Sequence, residues 1–485
     1  MKRLLLLLFC LLVCSGVNAQ DASEILKGKT VGVQLGTTGD ILVTGTNGVK
    51  LERYNNGNDA VQSLIRSKID AVVIDEQPAL AFISKNTELE ILPIPFAEEE
   101  YAIAISKKNT DLKKDINAVL SELKTDGTLN AIINGYINSA ENERFQVPEN
   151  TNYSAGTLSI ATSATFPPYE YYENGKVTGI DMDLAKVIAA RLNRRLIIEE
   201  MEFDSIIGAI QSGKVDLGVS GMSVTPDRLK NIDFSDAYTK SKQVIIVKSD
   251  KAVAQAKPSL TERFKQDFMT DARWKYLAMG LKHTLTITFL AAVMGILLGC
   301  LIAVIRVSHD KNGSFPVLNL LCRIYLAVVR GTPVMIQLLI MYYVIFSSVS
   351  VNKIMVAVLA FGINSAAYVA EIIRSGILSV DQGQTEAGRS LGLNFQQTMR
   401  FIILPQALKN VLPSLANEFI ALLKETSICG YIGLMDLTRG GDVIRSITYD
   451  AFLPLTAVAL IYLALVLALT AYVSKLEKRL KKNER

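Results

Sequence analysis

The feature that most constrains this chain is a change of solvent partway along it. From about Tyr276 onward the sequence carries repeated apolar stretches, among them Thr284–Ile305, Ile354–Ile373, Val411–Ile432 and Ala451–Val473. Each is long enough to cross the roughly 30 Å hydrocarbon layer of a bilayer as a helix. A further span starts at Thr332, after Arg330-Gly331, where Pro333 suits a first helical turn because its missing N–H has no partner there anyway. Before Tyr276 no such stretch occurs apart from the extreme N-terminus. A chain of 485 residues with 49% hydrophobic content is thus expected to hold an aqueous half and a membrane half.

The N-terminus reads as a secretory signal over residues 1–19. Lys2 and Arg3 precede a Leu-rich core, and Val17-Asn18-Ala19 supplies a small-residue cleavage site before Gln20. Cys14 is not in a lipoprotein box, because Val13 stands where a small residue is wanted. The three cysteines beyond it, Cys300, Cys322 and Cys429, all fall in the apolar half. The exported half is therefore expected to fold without disulfides, on its own core.

Charge sets the orientation of the spans. With five spans and an exported N-terminus, segments 306–331, 374–410 and 474–485 face the cytoplasm. They hold Arg306, Lys311, Arg323, Arg330, Arg374, Arg389, Arg400, Lys409 and six further basic residues in the tail. The outer loops hold Lys353, Arg439 and Arg445. This is a strong positive-inside bias. Counting Phe315–Val329 as a sixth span would reverse it, so that stretch is expected to be an interfacial helix leading into the second span.

Residues 20–255 alternate strand patterns (Thr30–Gln34, Ala71–Ile74, Leu158–Thr162, Val244–Val247) with helix patterns (Asp59–Ser67, Leu112–Lys124, Asp183–Leu192, Phe203–Ser212). Such alternation predicts α/β layers, helices packed on a mixed sheet, in one medium domain or two small lobes.

Several motifs resemble known families. Ala161-Thr-Ser-Ala-Thr-Phe-Pro-Pro-Tyr-Glu170, Gly179-Ile-Asp-Met-Asp-Leu-Ala185 and Val219-Ser-Gly-Met-Ser-Val-Thr-Pro-Asp-Arg228, followed by Ile232–Asp236, resemble the first lobe of periplasmic polar-amino-acid-binding proteins. Leu26–Gly39, Asp70–Asp75 and Asp126–Leu129 resemble the second lobe of the same family. The order is the reverse of the family's. One circularly permuted, bilobed clamshell of type II is favoured over two truncated remnants, because neither piece alone would form a cleft. Termini close together at a surface make such a permutation tolerable.

The membrane half is similar to the permease subunit of polar-amino-acid ATP-binding-cassette (ABC) importers. The similarity rests on Val329–Gln337, Ala366–Glu371, Leu423–Ser427 and the loop Glu386-Ala387-Gly388-x₃-Gly392-x₉-Ile402-x-Leu404-Pro405. In that family the loop grips the ATPase, through a small-faced helix that a glycine ends. Gly388 stands where a second alanine is usual. The expected domains are the signal 1–19, second lobe 20–141, linker 142–156, first lobe 157–250, linker 251–275, all-α permease of five spans 276–478 and basic tail 479–485.

The resemblance implies a cleft for a free amino acid. Arg228 would clamp the carboxylate, with backbone N–H groups of Ser223 and Thr38 as further donors. Asp75 would take the ammonium, helped by Ser220 and Gly221, and Phe166 and Phe203 would cover the stem. Ser163 and Gln34 would face the side chain, and as neutral hydrogen-bonding groups they suggest a polar ligand such as glutamine. Arg228 and Asp75 fall in opposite lobes, so closure is expected to be ligand-driven. In the fourth span Glu418, Lys424 and Glu425 are costly in lipid. They line the translocation path, or Lys424 and Glu425 form an ion pair that locks helices or a gate.

No G-x₄-GK[ST] phosphate loop occurs, so ATP is expected to be hydrolysed by a separate cytoplasmic subunit and this chain is expected to be no enzyme. Five spans make half a pathway, which implies a homodimer or a pair with a related permease. Membrane lipid is the remaining partner; no cofactor, metal or nucleic acid is expected. A ligand-gated channel would place its pore between the lobes, and an amino-acid sensor would carry an output domain after Val473. Neither is visible. A cap that no longer binds is disfavoured by the matched Arg228 and Asp75.

Overall fold

The structure is a computed structural model that describes residues 23–93, 96–137, 144–147, 153–249, 259–347, 349 and 351–482. The signal, parts of both linkers and the end of the tail lie outside these residues. Two compact units form, one running to Asp271 and taking in Val443–Ala451, the other holding Ala272–Asp442 and the chain from Phe452.

The first unit is built on two main sheets and a small three-stranded one. Its elements in chain order are β1 (Thr30–Gln34), α1 (Thr38–Thr44), β2 (Lys50–Tyr54), α2 (Gly57–Ile65), β3 (Ala71–Asp75), α3 (Glu76–Lys85), β4 (Leu89–Ile91), β5 (Ala97–Tyr101) and β6 (Ala104–Ile105). Next come α4 (Thr110–Thr125), α5 (Thr128–Ile137), β7 (Thr157–Thr162), β8 (Thr165–Phe166), β9 (Glu170–Glu173), β10 (Lys176–Thr178), α6 (Ile180–Arg191) and β11 (Arg195–Glu200). The unit continues through α7 (Ile206–Gln211), β12 (Leu217–Gly218), α8 (Pro226–Asn231), β13 (Asp233–Phe234) and β14 (Thr239–Lys248). One sheet has the order β2-β1-β3-β14-β4, with β5 paired to β14; the other has the order β11-β7-β12-β6-β13.

Local sequence explains the elements. All five residues of β3, Ala-Val-Val-Ile-Asp, are buried, as befits a central strand covered on both faces. Along α4 the buried positions Leu112, Ile116, Val119, Leu120 and Leu123 follow helical spacing and fill the core beside Leu158 and Ile160 of β7. Each such fully buried aliphatic side chain contributes about 1.5–3 kcal/mol.

The sheets divide the chain at other points than the sequence segments do. Residues 104–137, from the piece resembling a second lobe, pack into one core with 157–238, whereas β14 joins the sheet of β1 and β3. Two antiparallel neighbours, β5 and β14, carry the chain between the sheets, with Thr239 opposite Tyr101 and Gln243 opposite Ala97. Sequence periodicity marks strands but not the sheet in which each pairs. The segment 443–451 adds to this unit: Tyr449 meets Phe82 edge-on with ring centroids 5.1 Å apart, and Arg445 pairs with Asp59.

The second unit is helical. Its main helices are α9 (Trp274–Asn312), α10 (Pro316–Gly331), α11 (Val334–Ile340), α12 (Lys353–Leu378), α13 (Gln382–Ser390), α14 (Leu404–Glu425), α15 (Leu437–Thr448), which runs on into the first unit, and α16 (Phe452–Lys482). Close approach of α9 and α12 requires small residues: a Cβ on Gly299 would stand 2.6 Å from Val369 Cγ1, and one on Gly362 would stand 2.2 Å from Met294 Cε. Among the described residues three helices, α9, α12 and α16, are long and apolar enough to span a bilayer. A fourth span forms if α10 and the helix through Ile345, bent by 105°, count as one. The expected span Val411–Ile432 falls on α14 and the turns after it; α14 does not qualify by composition, because Gln406, Lys409, Asn410, Asn417 and Glu418, with Lys424 and Glu425 at its end, lower its hydropathy. Cys300, Cys322 and Cys429 are free thiols.

Candidate functional site

A narrow cleft with about 10 Å³ of free space, room for about one water molecule, lies in the first unit between the two main sheets. Its wall contains Gln34, Thr38, Asp75, Ser163, Phe166, Phe203, Ser220, Gly221, Ser223 and Arg228, so all ten residues singled out from the sequence meet at one place. Thr37 and Glu170 complete the wall and were not singled out.

Arg228 sits in the first turns of α8, where Thr225 caps the helix and Pro226 presets its start. The side chain turns inward and is 5% exposed, so it is not a surface arginine. Its guanidinium donates to Ser223 O at 2.7 Å and to Gly36 O at 2.9 Å, and lies 5.4 Å from the centre of the Phe203 ring. Gly36 follows β1, in the other sheet, so this one side chain joins the two lobes and the cleft is closed.

Asp75 ends β3 at the N-cap position of α3, yet its side chain makes no capping hydrogen bond. It accepts instead from the Tyr101 hydroxyl, inside the site. Burial, with the Glu99 carboxylate adding to it, pushes Asp75 up to about 7. Burial also raises Glu99, whose carboxylate accepts from the Ser223 hydroxyl, and lowers Arg228 against the opposing pull of Glu99 and Asp75.

These shifts carry a sign. A carboxyl held near 7 when folded and near 3.8 otherwise keeps a proton in the empty protein, so its contribution to stability falls as pH rises from about 4 to about 7. A ligand ammonium needs the ionised form. Its affinity is therefore expected to rise with pH by up to about tenfold per unit below pH 7 and to level off above, as read by titration calorimetry between about pH 6 and pH 8. A flat profile would show Asp75 to be ionised already. The groups facing Asp75 include Glu99, Tyr101, Gln243, Arg228, Tyr169 and Glu170.

Ser163 N–H donates to Ser220 Oγ at 3.2 Å, Ser220 Oγ donates to Glu170 Oε1 at 2.7 Å, and Gly221 N–H donates to Asp181 Oδ2 at 2.7 Å. Gly221 has φ +47°, and a Cβ there would stand 2.9 Å from Phe166 Cε1. Gly221→Ala is expected to cost about 1–3 kcal/mol through backbone strain and displacement of Phe166, seen as a lower Tm and weaker ligand binding.

The sequence reading missed Glu99 and Glu170. Glu99 lies in the run Glu98-Glu99-Glu100, which looks like a solvated face, but strand alternation turns only its middle member inward. Glu170 closes the Ala161–Glu170 motif and stands opposite Phe166 across the β8–β9 pair.

In the second unit Glu386, Ala387 and Gly388 lie on α13, which Asp381 caps, and Gly392 ends the turn with φ +83°. Gly388 is buried against the next turn of chain, where a Cβ would come within 2.8 Å of Thr398 Cγ2 and Ile402 Cδ1. Local packing thus accounts for glycine in place of alanine. Glu386 and Ala387 stay exposed, as do Leu404 and Pro405 at the start of α14, whereas Ile402 is half-buried. Glu418 accepts from Ser365 Oγ at 3.0 Å, while Lys424 is exposed and Glu425 half-buried. Adjacent positions on a helix do not face each other, so Lys424 and Glu425 point apart.

A buried guanidinium on α8 and a carboxyl at the end of β3, facing one narrow cleft, suit a zwitterion. With apolar helices of spanning length in the same chain, they define a solute receptor joined to a membrane protein. Comparison with known proteins agrees. A model of the bacterial extracellular solute-binding proteins, family 3, matches residues 158–389. Over 211 residues the chain is 37% identical to the arginine transport system permease protein ArtQ of Bacillus subtilis, covering 43% of this chain and 94% of that protein. Over 208 residues it is 36% identical to the glutamine transport system permease protein GlnP of Escherichia coli, covering 42% of this chain and 93% of that protein. A crystal structure of an amino acid ABC transporter with histidines is 42% identical, with a TM-score of 0.41, covering 44% of this chain and 98% of that one.

The chain belongs to the family of permeases of polar-amino-acid ABC importers and carries a solute-binding domain on the same polypeptide. It is a multi-pass protein of the inner membrane.

Proposed function

We propose that this chain is the fused receptor and pathway-forming subunit of an ABC importer, capturing a polar amino acid outside the membrane and passing it inward. The observation that carries the proposal is the meeting of Arg228, on α8, and Asp75, at the end of β3, at the wall of one narrow cleft. Arg228 takes the ligand carboxylate and Asp75 its ammonium, with Ser220 and Gly221 beside it. Both groups are already buried without ligand, and a bound zwitterion supplies each with its counter-charge, so the closed form is favoured with ligand bound.

The lobes form one circularly permuted clamshell. Support comes from the pairing of β14 with β3 and β5, which joins the two sequence pieces in one unit. The loop from Glu386 to Pro405 docks on a separate ATPase, whose cycle alternates access to a pathway between two permease copies or this chain and a related one. Glu418, on the helix that Ser365 contacts, and Lys424 and Glu425 belong to that pathway. The first unit faces outward and the basic tail faces the cytoplasm, as the positive-inside bias requires.

Titration of the full chain in nanodiscs with the standard amino acids tests the receptor. Saturable binding that Asp75→Ala abolishes is the expected result; a folded chain that binds none of them would overturn the proposal.

A further inference from the structure

Within the receptor reading above, on which this inference rests, we propose that Val443–Ala451, the end of α15 and its connection to α16, is a clasp. It anchors the β1–β3 lobe, so that ligand-driven closure swings the other lobe.

The segment folds with the first unit and is held there by backbone and side chains alike. The last carbonyls of a helix lack partners within it, and here the receptor supplies them. Asn58 Nδ2 donates to Arg445 O at 3.2 Å, Lys85 Nζ donates to Ile447 O at 3.2 Å, and Gln62 Nε2 donates to Tyr449 O. The Lys85 cation also meets the negative end of the α15 dipole. Arg445 pairs with Asp59, and the buried Tyr449 ring lies against Phe82, with Lys85 Nζ 4.9 Å from its centre. Tyr449 holds φ +58°, a left-handed conformation that a non-glycine residue keeps only where its surroundings over-determine it. Arg263 takes the far end, donating through Nε and Nη2 to Asp450 Oδ2 at 2.8 Å and 2.5 Å.

These partners are not spread over both lobes. Asn58, Asp59 and Gln62 stand on α2 and Phe82 and Lys85 on α3, the helices that pack with β1 and β3, and Arg263 lies in the stretch before α9. The chain also leaves the receptor from that lobe, through β14, which pairs with β3. The other lobe is one continuous stretch. Its main sheet is drawn from strands between Ala104 and Phe234, so the chain enters it after β5 and leaves it before β14. Two neighbouring crossings of this kind are the geometry of a hinge.

Helix α3 connects the clasp to the ligand site. Asp75 is its N-cap, and Phe82 and Lys85 are in its last turn. The ammonium partner therefore belongs to the anchored lobe, while Arg228, on α8, belongs to the swinging one. Closure carries Arg228 to the ligand carboxylate and leaves Asp75 in place.

The test reads distances by pulsed electron spin resonance on the full chain in nanodiscs, with its five cysteines replaced by alanine and the labelled chain diluted with unlabelled chain. Spin labels on Leu80→Cys of α3 and on Lys114→Cys of α4 are each paired with one on Lys275→Cys at the start of α9. The probe is a mixture of the standard amino acids in excess. The Lys114 distance is expected to shift by more than about 2 Å and the Leu80 distance to stay within about 1 Å. Asp59→Ala and Arg445→Ala should each widen the Leu80 distance distribution at least about twofold, and the double variant no further, because one shared contact is lost. The shifts themselves are read without these variants, so a folding defect in one of them cannot imitate the result. A Leu80 shift as large as that of Lys114, or calorimetric binding with neither distance moved, would overturn the clasp and leave the receptor intact. Binding of no amino acid at all would overturn the receptor reading, and this inference with it.

Discussion

Arg228→Ala is expected to weaken amino-acid binding by at least about 30-fold, read by calorimetry on the full chain, because truncating one partner of a buried charge pair costs about 2–5 kcal/mol. The loss has two parts. The ligand carboxylate loses its only cationic partner on the cavity wall, and the lobes lose the bond from the guanidinium to Gly36 O. Arg228→Lys should recover little. A single ammonium cannot hold Ser223 O at 2.7 Å and Gly36 O at 2.9 Å and still present a planar pair of donors to the ligand. The variant is expected to remain folded, since removal of the guanidinium leaves Asp75 and Glu99 free to hold their protons, which burial already favours. Unchanged affinity in a folded Arg228→Ala chain would show that this cleft is not where the ligand carboxylate sits.

The second large effect concerns the loop that follows α12. Leu391 is 80% exposed and Phe401 is 64% exposed, on the same stretch as the exposed Glu386 and Ala387. Leu391→Asp and Phe401→Asp should each leave stability within about 0.5 kcal/mol, because surface substitutions of this kind remove little packing. At an interface with the ATPase the same carboxylate would be desolvated without a partner, at a cost of several kcal/mol. ATP-driven uptake in proteoliposomes is therefore expected to fall at least about tenfold, with ligand binding unchanged. Normal uptake by both variants would place the ATPase contact elsewhere. Gly388 is a poor choice for this test, since a side chain there would disturb Thr398 and Ile402 before it disturbed any partner.

Much of the architecture is legible in the chain itself. The strand pattern over Thr30–Gln34 coincides with β1, and the helix pattern over Leu112–Lys124 falls within α4. In both, the spacing of apolar residues fixes which face is buried, and local periodicity suffices. The cleft residues within quoted motifs were legible for another reason: a motif keeps together residues whose backbone geometry places them at one site. Glu99 was not legible, because a run of three glutamates has the composition of a solvated face, and only the pairing of β5 against β14 turns its middle member inward. The number of spans was equally out of reach of composition. In α14 the apolar content that suggests a span and the charges that argue against one occupy the same helix.

What the sequence by itself determined is the split between two solvents, the element types in the aqueous half and the small-residue loop, since each depends on residues near one another in the chain. What only the tertiary structure decided is which distant residues meet. The guanidinium of Arg228 reaches Gly36 O across 192 positions of sequence, and Glu170 becomes a wall of the cavity only when β9 folds back on β8 beneath Ser220. Those contacts depend on how the two sheets pack and on which strands cross between them, and no local periodicity encodes that choice.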